Sequence, residues 1–284
     1  MTVERYLAPT TVDEVVGALE EHGDDAKIVA GGQSLLVLMR EGFVFPKVLI
    51  GLREVSELAG IEVNGDARIG ALATHTEVLS HPAIGERWPV LAEAEAAVST
   101  VQVRNRGTLC GNLAHAFPTS DPPAALLALD AQVEIRGPQG SRTMGVDEFL
   151  VGVFTTALEP GEVLTAIRLP PQPEGSRFSY QKYAVRPLDF AIVGVATRLV
   201  VDADGVCTGT RVGLNGGADH AIRAFEAERI LTGSSLEDDA LTEAAAAAAA
   251  ESTPMEDIDG TVAYKRRAIR AYVRRSLDQA RHRS

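Results

Sequence analysis

At 284 residues the chain is long enough for two domains, and its 45% hydrophobic and 23% charged content is that of a folded globular protein rather than a disordered one. A net charge of −12 argues against a nucleic-acid partner, because nucleic-acid affinity rests on Lys and Arg neutralising phosphates. No apolar run approaches the ~18 residues of a membrane span, and the opening Met1-Thr2-Val3-Glu4-Arg5-Tyr6 lacks the basic-then-apolar pattern of a signal peptide, so a cytoplasmic protein without a membrane span is expected.

In chain order, Thr11 with Glu14 three residues later reads as a capping box opening an amphipathic helix with Val15, Val16 and Leu19 on its apolar face. A short strand over 27–30 follows, then the glycine-bearing turn Ala30-Gly31-Gly32-Gln33-Ser34 and a helix through Arg40. Residues 47–52 read as a buried strand, and Asn64-Gly65 as a hairpin between Ile61-Glu62-Val63 and Ala67-Arg68-Ile69. A helix is expected over 87–97, then a second glycine-bearing turn, Thr108-Leu109-Cys110-Gly111-Asn112, and a helix over 122–129. Strands over 131–135 and 142–144 flank the compact turn Gly137-Pro138-Gln139-Gly140.

The proline-rich stretch Pro170-Pro171-Gln172-Pro173-Glu174-Gly175 marks a domain boundary, giving domains 1–175 and 176–284. Beyond it, residues 178–183, 190–201 and 206–214 read as three strands, and helices are expected over 221–231, 241–251 and 262–280. The last carries a stripe of Ile269, Tyr272, Val273, Ser276, Leu277 and Ala280, with Arg266, Arg267, Arg270, Arg274 and Arg275 mostly off it. This order gives an α+β chain.

The two glycine-bearing turns carry the chemistry. Glycine tolerates positive φ and lets the main chain approach a ligand closely, and free N–H groups before a helix suit phosphate oxygens. Together the turns suggest a clamp on a pyrophosphate. Neither matches G-x-G-x-x-G or a phosphate loop ending in Gly-Lys-Ser/Thr, and Gly32-Gln33-Ser34-Leu35-Leu36 lacks the final glycine of a hydrolase elbow. Two cysteines, Cys110 and Cys207, form neither a disulfide framework nor an iron–sulfur site, and the six histidines, among them His75 and His115, show no metal-ligand spacing.

Both turns, with Arg104-Asn105-Arg106-Gly107 before the second and Ala114-His115 and Ser120-Asp121 after it, resemble the FAD-binding medium subunit of the molybdenum hydroxylase family. This family includes the flavin parts of carbon monoxide dehydrogenases and xanthine dehydrogenase. A third segment, Tyr180 to Ala191, is similar to the family's stretch near the isoalloxazine edge, so the resemblance spans nearly the whole chain. It implies a two-lobed FAD-binding domain of the vanillyl-alcohol-oxidase/PCMH type, followed by a smaller domain with a three-stranded antiparallel sheet and helices.

The resemblance implies that Ala30, Gly31, Gly32, Gln33, Ser34 and Leu35 hold the FAD pyrophosphate from one side, and Thr108, Leu109, Cys110, Gly111 and Asn112 from the other. Thr74 would lie along the cofactor and His115 near the flavin. Asp121 is either an acceptor for a ribose or ribitol hydroxyl or an N-cap of the helix it opens. Lys182 is either a cation tuning the flavin or a solvated lysine on an edge strand, and Asp189 could pair with Arg186. Cys110 stands where the family often has glycine, Gln33 where histidine is frequent, and Phe117 where aspartate is common.

The implied function is electron transfer. A molybdopterin-binding large subunit would oxidise the substrate, an iron–sulfur small subunit with [2Fe-2S] clusters would relay electrons, and FAD on this chain would pass them to NAD, a quinone or oxygen. The alternatives are a stand-alone flavin oxidoreductase of the same cofactor fold and a non-catalytic nucleotide-binding module.

Overall fold

Short apolar strands bury themselves first as a three-stranded parallel sheet, in which Val48–Gly51 pairs with Arg5–Leu7 on one side and Ala26–Val29 on the other. The computed structural model describes residues 3–283; Met1, Thr2 and Ser284, the outermost residues of the two expected domains, lie outside it, as does the start of the opening segment. Helix Val12–His22 packs Val12, Val15 and Val16 beneath this sheet. Its start differs from the expected capping box. Thr11 Oγ1 accepts from the Glu14 N–H at 3.2 Å, but the Glu14 carboxylate closes on the Thr10 N–H at 2.6 Å, one residue earlier.

A second lobe is built on a five-stranded antiparallel sheet in the order Ile61–Asn64, Asp66–Gly70, Val163–Leu169, Gln132–Gly137, Gly140–Gly145. Both expected hairpins are present. The central strand, Val163–Leu169, has no counterpart among the expected elements. All its residues but Arg168 are buried, so it lacks the polar alternation that marks a half-exposed strand. The helix expected over 87–97 is Pro89–Ala96, and a separate helix, Pro82–Arg87, precedes it, because each proline occupies a first helical position and the chain turns between them at the fully buried Trp88.

The C-terminal region is a four-stranded antiparallel sheet, Ser176–Tyr183, Val193–Val201, Cys207–Asn215 and Ile222–Arg223. The two-residue fourth strand takes the first turn of the helix expected from residue 221, which instead spans Phe225–Leu231. With Asp238–Glu251 and Val262–His282, that helix covers the sheet over a separate core. The apolar stripe of the last helix is buried at Ile269, Val273, Ser276, Leu277 and Ala280, while Arg274 pairs with Asp238 and Asp278 at the surface. Among the described residues no helix is long and apolar enough to cross a membrane.

Helix Asp121–Ala128 joins the two cores, and all its residues are buried. It lies so close to the strand Cys207–Asn215 that a methyl on Gly213 would sit 2.1 Å from Ala124 O. Asn215 pins its start, donating to Asp121 O at 2.9 Å and accepting from the Ala124 N–H at 3.0 Å. Just beyond its end, Asp130 accepts from Arg198 and Arg211, each at 2.7 Å. Burial would raise the pKa of Asp130, but Arg211 and Arg198 outweigh it and hold the carboxyl below its ordinary value. These contacts fix where Asp121 faces the cleft.

Candidate functional site

The strand Ala26–Val29 delivers the chain to the first glycine-bearing turn, and the helix Leu35–Arg40 carries it away. Within the turn, the N–H groups of Gly31, Gly32, Gln33 and Ser34 find no acceptor among the described residues. Gly32 has φ +73°, a conformation that side chains disfavour. Gly31 is required for a different reason: a Cβ there would lie 1.9 Å from Arg106 O and 2.8 Å from Gly107 Cα. The turn of the first lobe therefore rests directly on the backbone of the second.

The segment read as a second turn is instead the start of a helix, Leu109–His115, capped by Thr108. Gly111 and Asn112, poor helix formers, conceal it in the sequence. Thr108 Oγ1 accepts from the Gly111 N–H at 3.0 Å, so that N–H is engaged within the helix. Thr108 also forms a bridge to Thr74, flanked by bonds from the Leu109 N–H to Ala73 O and from the His75 N–H to Gly107 O.

Between the lobes lies a cavity of about 470 Å³, within the size range of cofactor pockets. Of the residues expected from the sequence, Ala30, Gly31, Gly32, Gln33, Ser34 and Leu35 line it, as do Thr108, Gly111, Asn112, His115 and Asp121. Asn112 Oδ1 is buried there without a partner. An orphaned amide oxygen and a row of free N–H groups facing one cavity are what a polar dinucleotide requires, and in these respects the cavity fits FAD.

Four expected residues do not line the cavity. Thr74 closes a capping box, donating to Glu77 Oε2 at 2.8 Å and accepting from the Glu77 N–H at 3.2 Å. Leu109 belongs to the hydrophobic core. Cys110 is buried too, with Sγ 3.8 Å from Ile69 O, and burial pushes its thiol pKa up. Cys207 is likewise buried, so neither thiol of the native chain should react with a thiol reagent at a pH of about 8, and both should react after unfolding. Mass spectrometry of the labelled chain checks this.

Lys182 is neither solvated nor in the wall. Its Nζ donates to Asp121 Oδ2 and to Ala97 O, both at 2.9 Å, and acts on the cavity through Asp121. Tyr180 Oη donates to Asp121 Oδ1 at 2.7 Å. Burial, opposed by Lys182 and Tyr180, pushes the Asp121 pKa up to about 6. The N-cap position of this helix belongs to Ser120, so Asp121 is its first helical residue rather than its cap. Arg186 and Asp189 form a backbone turn, with the Asp189 N–H donating to Arg186 O at 3.1 Å, rather than the ion pair expected of them.

Several wall residues were not among the expected site residues, although Phe190 lies in the segment Tyr180 to Ala191 expected near the isoalloxazine edge. Phe117, Phe154 and Phe190 stand at the mouth with His115, which lies 4.9 Å from the Phe154 ring centre, and burial lowers the His115 pKa. Phe154 comes from a tight hairpin and holds φ +52°. Its N–H bonds Ala116 O across 38 positions of chain, a meeting that no local pattern announces. His75, inconspicuous as one of six scattered histidines, also lines the cavity.

Residues 2–172 match the FAD binding domain in molybdopterin dehydrogenase, and residues 178–280 the CO dehydrogenase flavoprotein C-terminal domain. The chain is 37% identical over 280 residues to the 6-hydroxypseudooxynicotine dehydrogenase complex subunit alpha of Paenarthrobacter nicotinovorans, covering 98% of this chain and 95% of that one. It is also 37% identical to the carbon monoxide dehydrogenase medium chain of Hydrogenophaga pseudoflava, covering 97% and 96% respectively. A chain of the reconstituted CO dehydrogenase from Oligotropha carboxidovorans superposes with a TM-score of 0.96 at 32% identity, covering 100% of this chain and 99% of that one. Matched over nearly its whole length by the two family models, by these relatives and by the superposed chain, this chain belongs to the FAD-binding medium-subunit family of the molybdenum hydroxylases.

Proposed function

We propose that this chain is the flavin-carrying electron-transfer subunit of a molybdenum hydroxylase complex. In this reading an iron–sulfur small subunit and a molybdopterin-binding large subunit are its partners, and electrons leave to NAD, a quinone or oxygen. The observation that carries it is the cavity between the two glycine-bearing segments, with its free N–H groups and the backbone-to-backbone contact of the lobes at Gly31. When bound, FAD supplies reversible one- and two-electron redox chemistry at its isoalloxazine.

The protein's own residues bind, orient and shield. The N–H groups of Gly31, Gly32, Gln33 and Ser34 hold the pyrophosphate oxygens, with the Ser34 hydroxyl beside them, and the Asn112 carboxamide meets the cofactor from the second lobe. Asp121, oriented by Lys182 and Tyr180, presents a carboxylate to a hydroxyl. Phe117, Phe154 and Phe190 form an apolar wall that excludes water from the mouth.

The test is an absorption spectrum of the purified chain after FAD addition and desalting, beside a variant carrying Gly32→Asp and Gly111→Asp. The native chain should keep flavin bands near ~450 nm and the variant should lose them. In the complex reconstituted with both partners and chemically reduced, the acceptor class that restores the ~450 nm band is the physiological outlet. No bound flavin even with the partners present would overturn the reading, and turnover by the chain alone would favour a stand-alone oxidoreductase.

A further inference from the structure

At the cavity wall two buried side chains from different helices meet in a pair that the reading above leaves without a role. His75 opens the helix His75–Ser80, Glu95 lies near the end of Pro89–Ala96, and His75 Nδ1 is 2.6 Å from Glu95 Oε2. Their side chains are 3% and 0% exposed. Glu95 Oε1 is buried with no partner. His75 Nε2 has no hydrogen-bond partner among the described residues, and His75 is one of the residues lining the cavity.

A carboxylate this deeply buried, with one oxygen unsatisfied, is tolerable only beside a counter-charge, and the imidazole in contact with it is the group able to supply one. Because Nδ1–H points at Glu95, protonation of the ring adds its proton at Nε2 and turns that atom from acceptor into donor. Burial opposes the charge, but Glu95 outweighs it through both its charge and its hydrogen bond and holds the His75 pKa above its ordinary value. Asp121, from the helix Asp121–Ala128, acts in the same direction, and Arg104, from Val101–Arg104, acts against it. On its own helix Glu77 is engaged with Thr74, and on the neighbouring helix Pro82–Arg87 the Arg87 guanidinium lies over Trp88. Among the described residues no lysine or arginine lines the cavity, and burial lowers the pKa of the other histidine in the wall, His115.

We propose that the His75 imidazolium, kept charged by Glu95, donates its Nε2–H to an anionic oxygen of the dinucleotide held in this cavity, and so supplies the positive charge that the surrounding N–H groups lack. His75 is then a binding residue and Glu95 a positioning residue that acts through it. The proposal rests on the reading of the cavity as a FAD site.

The test is a titration of the purified chain with FAD, and separately with ADP and with riboflavin, at pH values from about 6.5 to about 9, where Asp121 stays largely ionised. The protonated form binds tighter, so the FAD and ADP dissociation constants should rise about tenfold as pH climbs through the His75 pKa, the scale of one charge-assisted hydrogen bond, while riboflavin, which has no phosphate, should show no such slope. His75→Gln should bind FAD about tenfold more weakly at the low end of the range and show a flat profile. Glu95→Gln should move the transition to lower pH.

A flat FAD profile in the native chain, which needs no variant, overturns the inference while leaving FAD binding intact. A native slope preserved in His75→Gln overturns it equally, and a slope with riboflavin overturns the assignment to a phosphate oxygen. Failure of the native chain to bind FAD at any pH sinks the FAD reading itself.

Discussion

Gly31→Ala should abolish retention of FAD, weakening its binding by about 100-fold or more, although the substitution adds a single methyl group. The added Cβ would lie 1.9 Å from Arg106 O, 2.6 Å from Arg106 C and 2.8 Å from Gly107 Cα, all main-chain atoms that no rotamer change can move aside. Relief requires the first lobe's turn to lift off the second lobe, which separates the two walls of the cavity and carries the free N–H groups away from Asn112 and His75. Folding should suffer less, by about 1–3 kcal/mol, because Gly31 is half-buried at the edge of the core rather than inside it. Gly17→Ala is the control. It sits in the helix Val12–His22 with no atom within 4 Å of the new methyl, and FAD binding should be unchanged. Flavin fluorescence quenching on titration with each variant separates the outcomes, and native affinity in Gly31→Ala would show that the contact between the lobes does not shape the site.

The parts of this site that lie within one turn of chain were legible, and the parts made by tertiary contact were not. Ala30 to Ser34 follow a short apolar strand and precede a run of helix-forming residues, so glycine chemistry at a strand end was enough to find them. Leu109–His115 hid its helix because Gly111 and Asn112 weaken the local propensity, and only the Thr108 cap together with burial of Leu109, Cys110 and Leu113 reveals it. The strand Val163–Leu169 pairs with segments about 30 and 100 positions away and is buried on both faces, so neither proximity nor alternation signals it. His75 meets Glu95 only because two short helices split by Pro82 and Pro89 pack against each other. Lys182 looked like an edge-strand lysine, and it does lie on an edge strand, yet Asp121 at the start of one helix and Ala97 O at the end of Pro89–Ala96 meet its ammonium and turn a solvated charge into a buried partner.

That burial makes Lys182→Met the second substitution with a large effect, and its pH dependence identifies the cause. In the native chain burial pushes the Asp121 pKa up to about 6 from its ordinary 3.8, against the opposing pull of Lys182 and Tyr180. A folded-state pKa above the unfolded one means that folding favours the protonated carboxyl. The associated stability is fully present below about 3.8 and is lost as pH rises through about 6. Replacing Lys182 removes the largest opposing influence, so the Asp121 pKa climbs further and the loss extends to higher pH. Removing one partner of a buried ion pair costs about 3–5 kcal/mol, and Lys182→Met should lose this much in urea denaturation at a pH of about 8. At a pH of about 5, where the variant's Asp121 is mostly protonated in the folded state, the deficit should fall to about half or less. Asp121→Asn in the same background keeps an acceptor for Tyr180 without a charge, and it should recover much of the loss and remove its pH dependence. A deficit that is equal at both pH values would instead place the effect in the lost bond to Ala97 O and the packing of the lysine stem.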